Sequence, residues 1–175
     1  MIGPTLTSDR LILRPYVLED FDVLAALWAD PVVVRHTIGS PANREATWTR
    51  LLRYIGHWQA LGFGYWAVTL REDGRYIGTV GFADYQRDID PPLGSVPEAG
   101  WALMPAEHGA GYATEAVQRM HKWAKIETDW TSTCCLLDQE NAASVKVAEK
   151  QGYKASHEAC YRGELSLVMT RPIVR

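Results

Sequence analysis

The sequence His108-Gly109-Ala110-Gly111-Tyr112-Ala113-Thr114-Glu115-Ala116 joins two closely spaced glycines to an amphipathic helix that we expect over 113–127. Apolar and small residues recur at helical spacing along this stretch. Gly109 and Gly111 remove side chains where backbone must come close to another group. Free N–H groups in a first helical turn, together with the positive end of the helix dipole, can hold an anion. The stretch therefore predicts a phosphate-binding loop at the start of a helix.

Two better-known phosphate-binding motifs fit these residues poorly. A P-loop ends in Gly-Lys-Ser/Thr, whereas Tyr112 follows Gly111 here. A dinucleotide fingerprint needs a third small residue where Thr114 stands and an acidic residue about 20 positions further on. From these residues alone, a glycine-closed helix start that binds nothing remains the alternative.

Length and composition favour one domain, expected over residues 1–175. Apolar residues make up 47% of the chain and charged residues 22%, which suits a globular protein with one core. The net charge of -3, without a dense basic cluster, argues against nucleic acid as a partner. No apolar run approaches a membrane span and no leader pattern is evident, so we expect no membrane partner and a cytoplasmic location. Three cysteines without zinc spacing predict reduced thiols and no metal site.

Hydrophobic patterning predicts the order of helices and strands. A strand is expected within 5–15, followed by a helix that ends at Asp30-Pro31 and a longer helix near 43–61. The remaining expected elements are a hairpin of strands 65–70 and 76–85, a loop over 86–97, a strand at 99–103, the helix at 113–127, a strand at 132–137, a helix at 141–151, and strands at 153–160 and 164–170. This order predicts an α+β fold with a mixed, mostly antiparallel sheet.

Three stretches resemble the GCN5-related N-acetyltransferases (GNAT), especially their ribosomal-protein N-terminal acetyltransferase-like branch. The glycine stretch is similar to the acyl-CoA pyrophosphate loop of that family. The opening Thr7-Ser8-Asp9-Arg10-Leu11-Ile12-Leu13-Arg14-Pro15 is similar to the start of the same branch. Asn141, Ser144 and the closing Gly152-Tyr153 of the later helix are similar to a third family element, and positions 141, 144 and 148 lie on one face of that helix. The resemblance covers nearly the whole chain and implies a GNAT fold: a twisted sheet, flanked by helices, whose central parallel strands, here 99–103 and 132–137, splay apart.

The resemblance also implies acetyl-CoA as the co-substrate, held in the gap between those two strands. Backbone over 100–103, including Ala102 and Leu103, would pair with the pantetheine arm, and Asn141 would bond near its reactive end. His108 stands where the family usually has Gln or Arg, and its imidazole could still contact phosphate. The amides expected to bind the pyrophosphate are those of Gly109, Ala110, Gly111, Tyr112, Ala113 and Thr114.

For chemistry, the resemblance implies direct acetyl transfer to a primary amine, without a covalent enzyme intermediate or a metal. The amine must be neutral to attack, so a base is expected, and Glu98 at the head of the central strand is the leading candidate. Its alternative is a solvated carboxylate at a loop end. Ala148 occupies the place of the family's thiolate-protonating tyrosine, so Ser144 is the expected substitute; a hydroxyl bonded to its own backbone is the alternative. Backbone near Ala102 would stabilise the oxyanion.

The acceptor is much less defined than the donor. Trp28, His36, Asp84 and Tyr85 are weaker candidates for its pocket. The α-amine of a protein N-terminus and a small amine, such as a polyamine or an antibiotic, both remain open, as does a homodimer. The alternative function is a CoA-binding sensor or assembly module that has lost turnover, and a third is a structural domain without a ligand.

Overall fold

The computed structural model of the chain describes residues 3–174. Its helices are α1 (Phe21–Ala29), α2 (Pro31–Val34), α3 (Arg44–Leu61), α4 (Tyr112–Glu127) and α5 (Ala142–Lys150). Its strands are β1 (Leu6–Thr7), β2 (Leu11–Pro15), β3 (Tyr65–Leu70), β4 (Tyr76–Ala83), β5 (Ile89–Asp90), β6 (Glu98–Leu103), β7 (Ser132–Leu137), β8 (Lys154–Tyr161) and β9 (Glu164–Pro172). Within residues 3–174, no helix has the length and apolar character needed to cross a membrane.

The strands form one sheet in the order β1-β2-β3-β4-β6-β7-β9-β8-β5. Among the described residues the pair β6 and β7 is parallel, and every other neighbouring pair is antiparallel. This arrangement confirms the expected mixed, mostly antiparallel sheet with a parallel pair at its centre.

Helices cover both faces of the sheet. Neighbouring residues of a strand point to opposite sides, so each strand contributes side chains to the packing on both faces. On one face, Leu24 of α1 and Leu51 of α3 pack into a buried cluster with Ala67 of β3. On the other face, Met120 of α4 packs into a second cluster with Trp66, the preceding residue of β3. The sheet therefore lies between two cores.

Apart from shifts of one or two residues at the ends of elements, such as β4 ending at Ala83 rather than Tyr85, the structure differs from the sequence expectation in three short segments. The strand expected within 5–15 is a hairpin, because Ser8 N–H donates to the Leu11 carbonyl at 3.0 Å and turns the chain. The expected helix does end before Asp30-Pro31, but the Asp30 carboxylate accepts from Val32 N–H at 2.8 Å and caps the short α2. The loop expected over 86–97 contains β5, which pairs with β8.

A buried polar network joins α4 to β7 through Tyr153. The Tyr153 hydroxyl lies 2.7 Å from Thr133 Oγ1 and 3.1 Å from His121 Nε2. Burial, with a smaller effect of the Arg171 charge, lowers the pKa of His121 to about 3. The His121 imidazole is therefore neutral in the folded protein at neutral pH.

Because the pKa of His121 is low in the folded protein, we expect the free energy of unfolding to fall as the pH is lowered from about 6.5 towards 4. In that range His121 binds a proton in the unfolded chain and not in the folded one, so its contribution is complete above the unfolded pKa and is lost as the pH falls. His121 contributes at most about 1.4 kcal/mol per pH unit to the slope of the unfolding free energy against pH. His121→Gln keeps a hydrogen-bonding side chain without the titration. In urea titrations its stability should vary less with pH than that of the wild type, and parallel curves would contradict the assignment.

Candidate active site

The central parallel strands separate directly after they meet. Glu98 of β6 and Cys134 of β7 form the single pair of their register, and Cys134 N–H donates to the Pro97 carbonyl at 3.0 Å. By contrast, β4 pairs with β6 from Glu98 to Leu103, along its whole length. The two central strands therefore diverge towards their carboxyl ends and leave a gap, as expected for a GNAT fold.

Alternation along β6 determines which backbone groups face this gap. Met104 N–H donates to the Ile77 carbonyl at 2.8 Å, so the hydrogen-bonding groups of every second residue before it also point towards β4. Ala102 is one of these, and it pairs with Thr79. Its backbone is therefore turned away from the gap, which corrects the expectation for that residue. The N–H and carbonyl groups of Trp101 and Leu103 point towards the gap instead.

The glycine loop lies between β6 and α4. Gly109 and Gly111 have φ values of +79° and +82°, a left-handed conformation that other residues adopt only with strain. Gly111 is the N-cap of the 16-residue α4, and no side chain of the described residues caps that end. The N–H groups of Tyr112, Ala113 and Thr114 thus lack intrahelical acceptors. These donors, at the positive end of the helix dipole, suit an anionic group such as a pyrophosphate.

Arg10 fastens this loop, although no sequence motif marked it as a site residue. Its Nη1 donates to the Ala110 carbonyl at 3.0 Å, its guanidinium carbon lies 4.4 Å from the Tyr112 ring centroid, and its Nε donates to Glu115 at 2.7 Å. Glu115 also accepts from Arg10 N–H and the Ser8 hydroxyl, both at 2.8 Å. Burial alone would raise the pKa of Glu115, but these hydrogen bonds lower it. The ionised Glu115 therefore ties the first turn of α4 to the β1–β2 turn.

His108 folds back from the loop onto β6. Its Nε2 lies 2.9 Å from the Leu103 carbonyl oxygen, and because a carbonyl only accepts, Nε2 carries the proton. The contact uses one of the β6 carbonyls that point towards the gap. Phosphate binding by His108 stays a prediction.

The third family element forms the N-terminus of α5. Asn141 Oδ1 accepts from Ser144 N–H at 3.1 Å and caps the helix, which leaves the amide nitrogen of Asn141 for another partner. Ala148 is fully buried in the cluster that contains Val117 and Tyr153. Ser144, one turn earlier on the same face, is partly buried. The roles of Asn141 and Ser144 stay predictions.

Glu98 is a buried carboxylate in an ion pair, not a solvated one at a loop end, which excludes that alternative. Arg87 Nε and Nη2 donate to its two oxygens at 2.6 and 2.8 Å. The Arg87 guanidinium carbon lies 4.5 Å from the ring centroid of Tyr85 and 4.6 Å from that of Tyr161. Glu98, Arg87 and Tyr85 line a cleft of about 400 Å³ beneath the loop that follows β4.

A histidine–aspartate pair lies at the carboxyl end of β7. His36, in the connection between α2 and α3, places Nδ1 at 2.6 Å from Asp138 Oδ2. This hydrogen bond, followed by one from Glu140 N–H, lowers the pKa of Asp138. The weak candidate His36 is thus brought next to the end of a central strand, and its partner Asp138 was missed because the two are 102 residues apart in the sequence.

The other acceptor candidates fall in two places. Asp84 lines the cleft with Tyr85, but its carboxylate accepts from the backbone and side-chain amides of Gln86 at 3.1 and 2.6 Å and so stabilises a local turn. Trp28 lies in α1, is 6% exposed, and packs beneath Arg50 of α3.

The adjacent cysteines of β7 are buried. Burial raises the pKa of the Cys134 thiol to about 12, and it also raises that of Cys135. Both thiols are therefore protonated at neutral pH and lack the thiolate form that a nucleophile needs. Their state argues against either of these two cysteines as a covalent nucleophile.

Comparison with known proteins identifies the class. Residues 10–154 match the family model of the acetyltransferase (GNAT) domain. The chain is 28% identical over 151 residues to the uncharacterized N-acetyltransferase p20 of Bacillus licheniformis, a match that covers 86% of this chain and 82% of that protein. An acetyltransferase structure from Agrobacterium tumefaciens str. C58 superimposes with a TM-score of 0.84 at 28% identity, covering 98% and 95% of the two chains.

A further solved structure, RimL, described as a ribosomal L7/L12 alpha-N-protein acetyltransferase in complex with coenzyme A, has the same fold. Its TM-score is 0.79 at 15% identity, and the match covers 97% of this chain and 98% of that one. The fold and the matches together define an acetyltransferase. The chain belongs to the GNAT family and is an N-acetyltransferase.

Arg10→Met should weaken acetyl-CoA binding, because it removes the side-chain contacts that hold the glycine loop. Arg10 is about half exposed, so we expect a loss of only about 5- to 10-fold in calorimetry. Arg119→Met is the control. Arg119 lies in α4 and donates to the Thr7 carbonyl at 2.8 Å, a contact that does not involve the glycine loop. Equal losses in both variants, or none in Arg10→Met, would show that Arg10 does not position the loop.

Proposed function

We propose that the protein transfers the acetyl group of acetyl-CoA directly to a primary amine in the gap between β6 and β7. The observation that carries this proposal is a pair of diverging parallel strands that ends beside a glycine-closed, uncapped helix start. Acetyl-CoA supplies the activated acetyl thioester, and the residues of this chain bind and orient it. The first-turn amides of α4 would take the pyrophosphate, and the gap-facing backbone of Trp101 and Leu103 would take the pantetheine arm as an added strand.

Backbone orientation also selects the oxyanion donor. The N–H of Trp101 points into the gap, whereas that of Ala102 points towards β4. A fixed N–H group stabilises the negative charge that develops on the thioester oxygen, and it needs no reorganisation during the reaction. We therefore assign this role to Trp101 rather than Ala102.

Glu98 is the proposed base for the attacking amine. It lies at the point where the two central strands meet, and the cleft beside it is large enough for an acceptor. Arg87 uses one lone pair on each oxygen of Glu98, so the proton from the amine would be taken up on a lone pair that remains. His36 is a second candidate, since Asp138 binds its Nδ1 and orients Nε2 to take a proton.

Ser144 is the proposed group that protonates the departing thiolate. Its hydroxyl lies on the same face of α5 as Asn141, whose free amide nitrogen is proposed to bond to acetyl-CoA near its reactive end. Because Ala148 is fully buried, the next position on this face packs in the core and offers no hydroxyl.

The acceptor can be a protein N-terminus, as the name of RimL states for that protein, or a small amine. The rival function, CoA binding without turnover, uses the same gap and the same loop. Acetylation of at least one member of a panel of peptides, amino acids and polyamines would exclude this rival. Tight acetyl-CoA binding with no acetylation would support it.

Gly111→Trp tests where acetyl-CoA binds. A tryptophan at this left-handed position should strain the loop and fill the space before the first-turn amides, so we expect acetyl-CoA affinity to fall at least about 100-fold in calorimetry. Gly74→Trp is the matched control, because Gly74 has a similar φ of +73° and open space where a β-carbon would lie, but belongs to the β3–β4 turn. Unchanged affinity in Gly111→Trp would place acetyl-CoA elsewhere.

Three substitutions test the chemical roles with one acetylated amine. Glu98→Gln should lower kcat/KM by about 100-fold, the usual size of a general-base effect, without weakening acetyl-CoA binding. Ser144→Ala should lower kcat by about 10-fold through slower thiolate departure. His36→Asn should change kcat/KM by less than Glu98→Gln. A larger loss in His36→Asn would transfer the base role to the His36–Asp138 pair.

A further inference from the structure

Arg50 of α3 is a partly buried cation with an unpaired donor. Its guanidinium carbon lies 3.9 Å from the ring centroid of Trp28 in α1. Arg50 Nε and Trp28 Nε1 are both shielded from solvent, and neither has a hydrogen-bond partner among residues 3–174. Buried N–H groups are nearly always paired in folded proteins. Two unpaired donors on adjacent helices therefore indicate a ligand that would accept from them.

The surroundings of Arg50 supply no negative charge. Among the described residues, no ion pair joins Arg50 to a carboxylate. Asp22 of α1 pairs with Arg44, which lies in the same helix as Arg50. Burial alone would lower the pKa of Arg50, but the phenol of Tyr54, which is also a hydrogen-bond partner of the guanidinium, and those of Tyr85 and Tyr65 raise it. Phenols are neutral at pH 7. A partly buried cation beside neutral hydroxyls suits an anionic partner from outside the chain.

These residues form an arginine–aromatic cluster, consisting of Arg50, Trp28, Tyr54, Tyr65 and Tyr85, that reaches β6. The rings of Tyr54 and Tyr65 stack with centroids 4.4 Å apart. The Tyr65 hydroxyl fills the space over Gly100, where a β-carbon would collide with it. Tyr85 also lines the cleft that contains Glu98. A ligand anchored at Arg50 would thus have its other end near the strand that we propose binds the acetyl thioester.

We propose that the acceptor is an amine that carries a carboxylate, and that Arg50 and Trp28 bind this carboxylate. The inference rests on the proposed function, because it assigns the acceptor side of the same site. An arginine presents two parallel N–H donors that match the two oxygens of a carboxylate, and the indole N–H adds a third. The aromatic rings would pack against the apolar part of the acceptor. A polyamine has only positive charges to bring to this cation and is disfavoured.

Pairs of ligands that differ only in charge test the carboxylate. Calorimetry uses the full chain saturated with CoA, which binds without transferring an acetyl group. The comparison of L-phenylalanine with L-phenylalaninamide tests whether the α-carboxylate of an amino acid is bound. The amidated peptides Ser-Glu-Phe and Ser-Gln-Phe are compared for a carboxylate on a side chain. We expect at least one acidic ligand to bind about 10-fold or more tightly than its neutral partner, as for a charge-assisted bidentate pair.

Variants then assign the preference to Arg50. Arg50→Met keeps an unbranched side chain over Trp28 and should remove the preference while changing the affinity of the neutral partner by less than about 3-fold. Arg44→Met is the matched control, because Arg44 lies on the same helix with its guanidinium carbon 4.4 Å from the Phe21 ring centroid, and should keep the preference. Arg50→Lys keeps the positive charge but lacks the two parallel N–H donors of the guanidinium, so it should retain only part of the preference for the acidic ligand. This variant replaces Arg50→Met in the test if Arg50→Met does not fold.

The outcomes separate this inference from the proposed function. Equal affinity within both ligand pairs, or a preference that survives both Arg50 variants, would overturn the inference. Acetylation of neutral amines without a carboxylate preference would do the same and keep the N-acetyltransferase function. A carboxylate preference that depends on Arg50, with no acetylation of any amine, would support the binding site and overturn direct transfer.

Discussion

The single pairing position of β6 and β7, Glu98 with Cys134, is the constraint on which the site depends. If β6 and β7 paired along their length, the N–H and carbonyl groups of Trp101 would be used within the sheet. Because pairing stops after one position, the sheet stays continuous while β6 keeps free hydrogen-bonding groups at its centre. Each strand is meanwhile held on its far side, β6 by β4 and β7 by β9. The gap therefore costs little in sheet pairing and leaves an edge strand inside the protein.

Elements that are distant in sequence keep this gap in shape. His108 binds the Leu103 carbonyl and fixes the glycine loop to the end of β6. Arg10 fixes the same loop from the first hairpin, and the Tyr153 hydroxyl joins His121 of α4 to Thr133 of β7. These contacts restrain the loop and both walls before any ligand arrives. Preorganised donors of this kind lower the entropy lost on binding.

Local sequence patterns predicted the fold well because they depend on near neighbours. Helix α3 begins after Asn43, whose side chain accepts from Ala46 N–H, and ends at Gly62 in the left-handed conformation, as caps and glycines predict. The glycine loop was predicted for the same reason. The pairs Arg87–Glu98, Arg10–Glu115 and His36–Asp138 could not be predicted in this way. The last two join residues more than 100 positions apart, and all three depend on which strands and loops become neighbours.

The arginines that lie over aromatic rings show how the same local feature acquires different meanings. Arg10, Arg44 and Arg87 each lie over a ring and also bind a carboxylate of this chain. Arg53 and Arg162 lie over rings at exposed positions, where water solvates the charge. Arg50 alone among these described arginines combines partial burial with the absence of a carboxylate partner. Ring stacking is common to the whole set and therefore carries no functional information. The lack of a carboxylate partner within the described residues distinguishes Arg50. Because Arg50 belongs to a cluster that reaches the acyl-transfer gap, a carboxylate on the substrate is the partner that we propose for it.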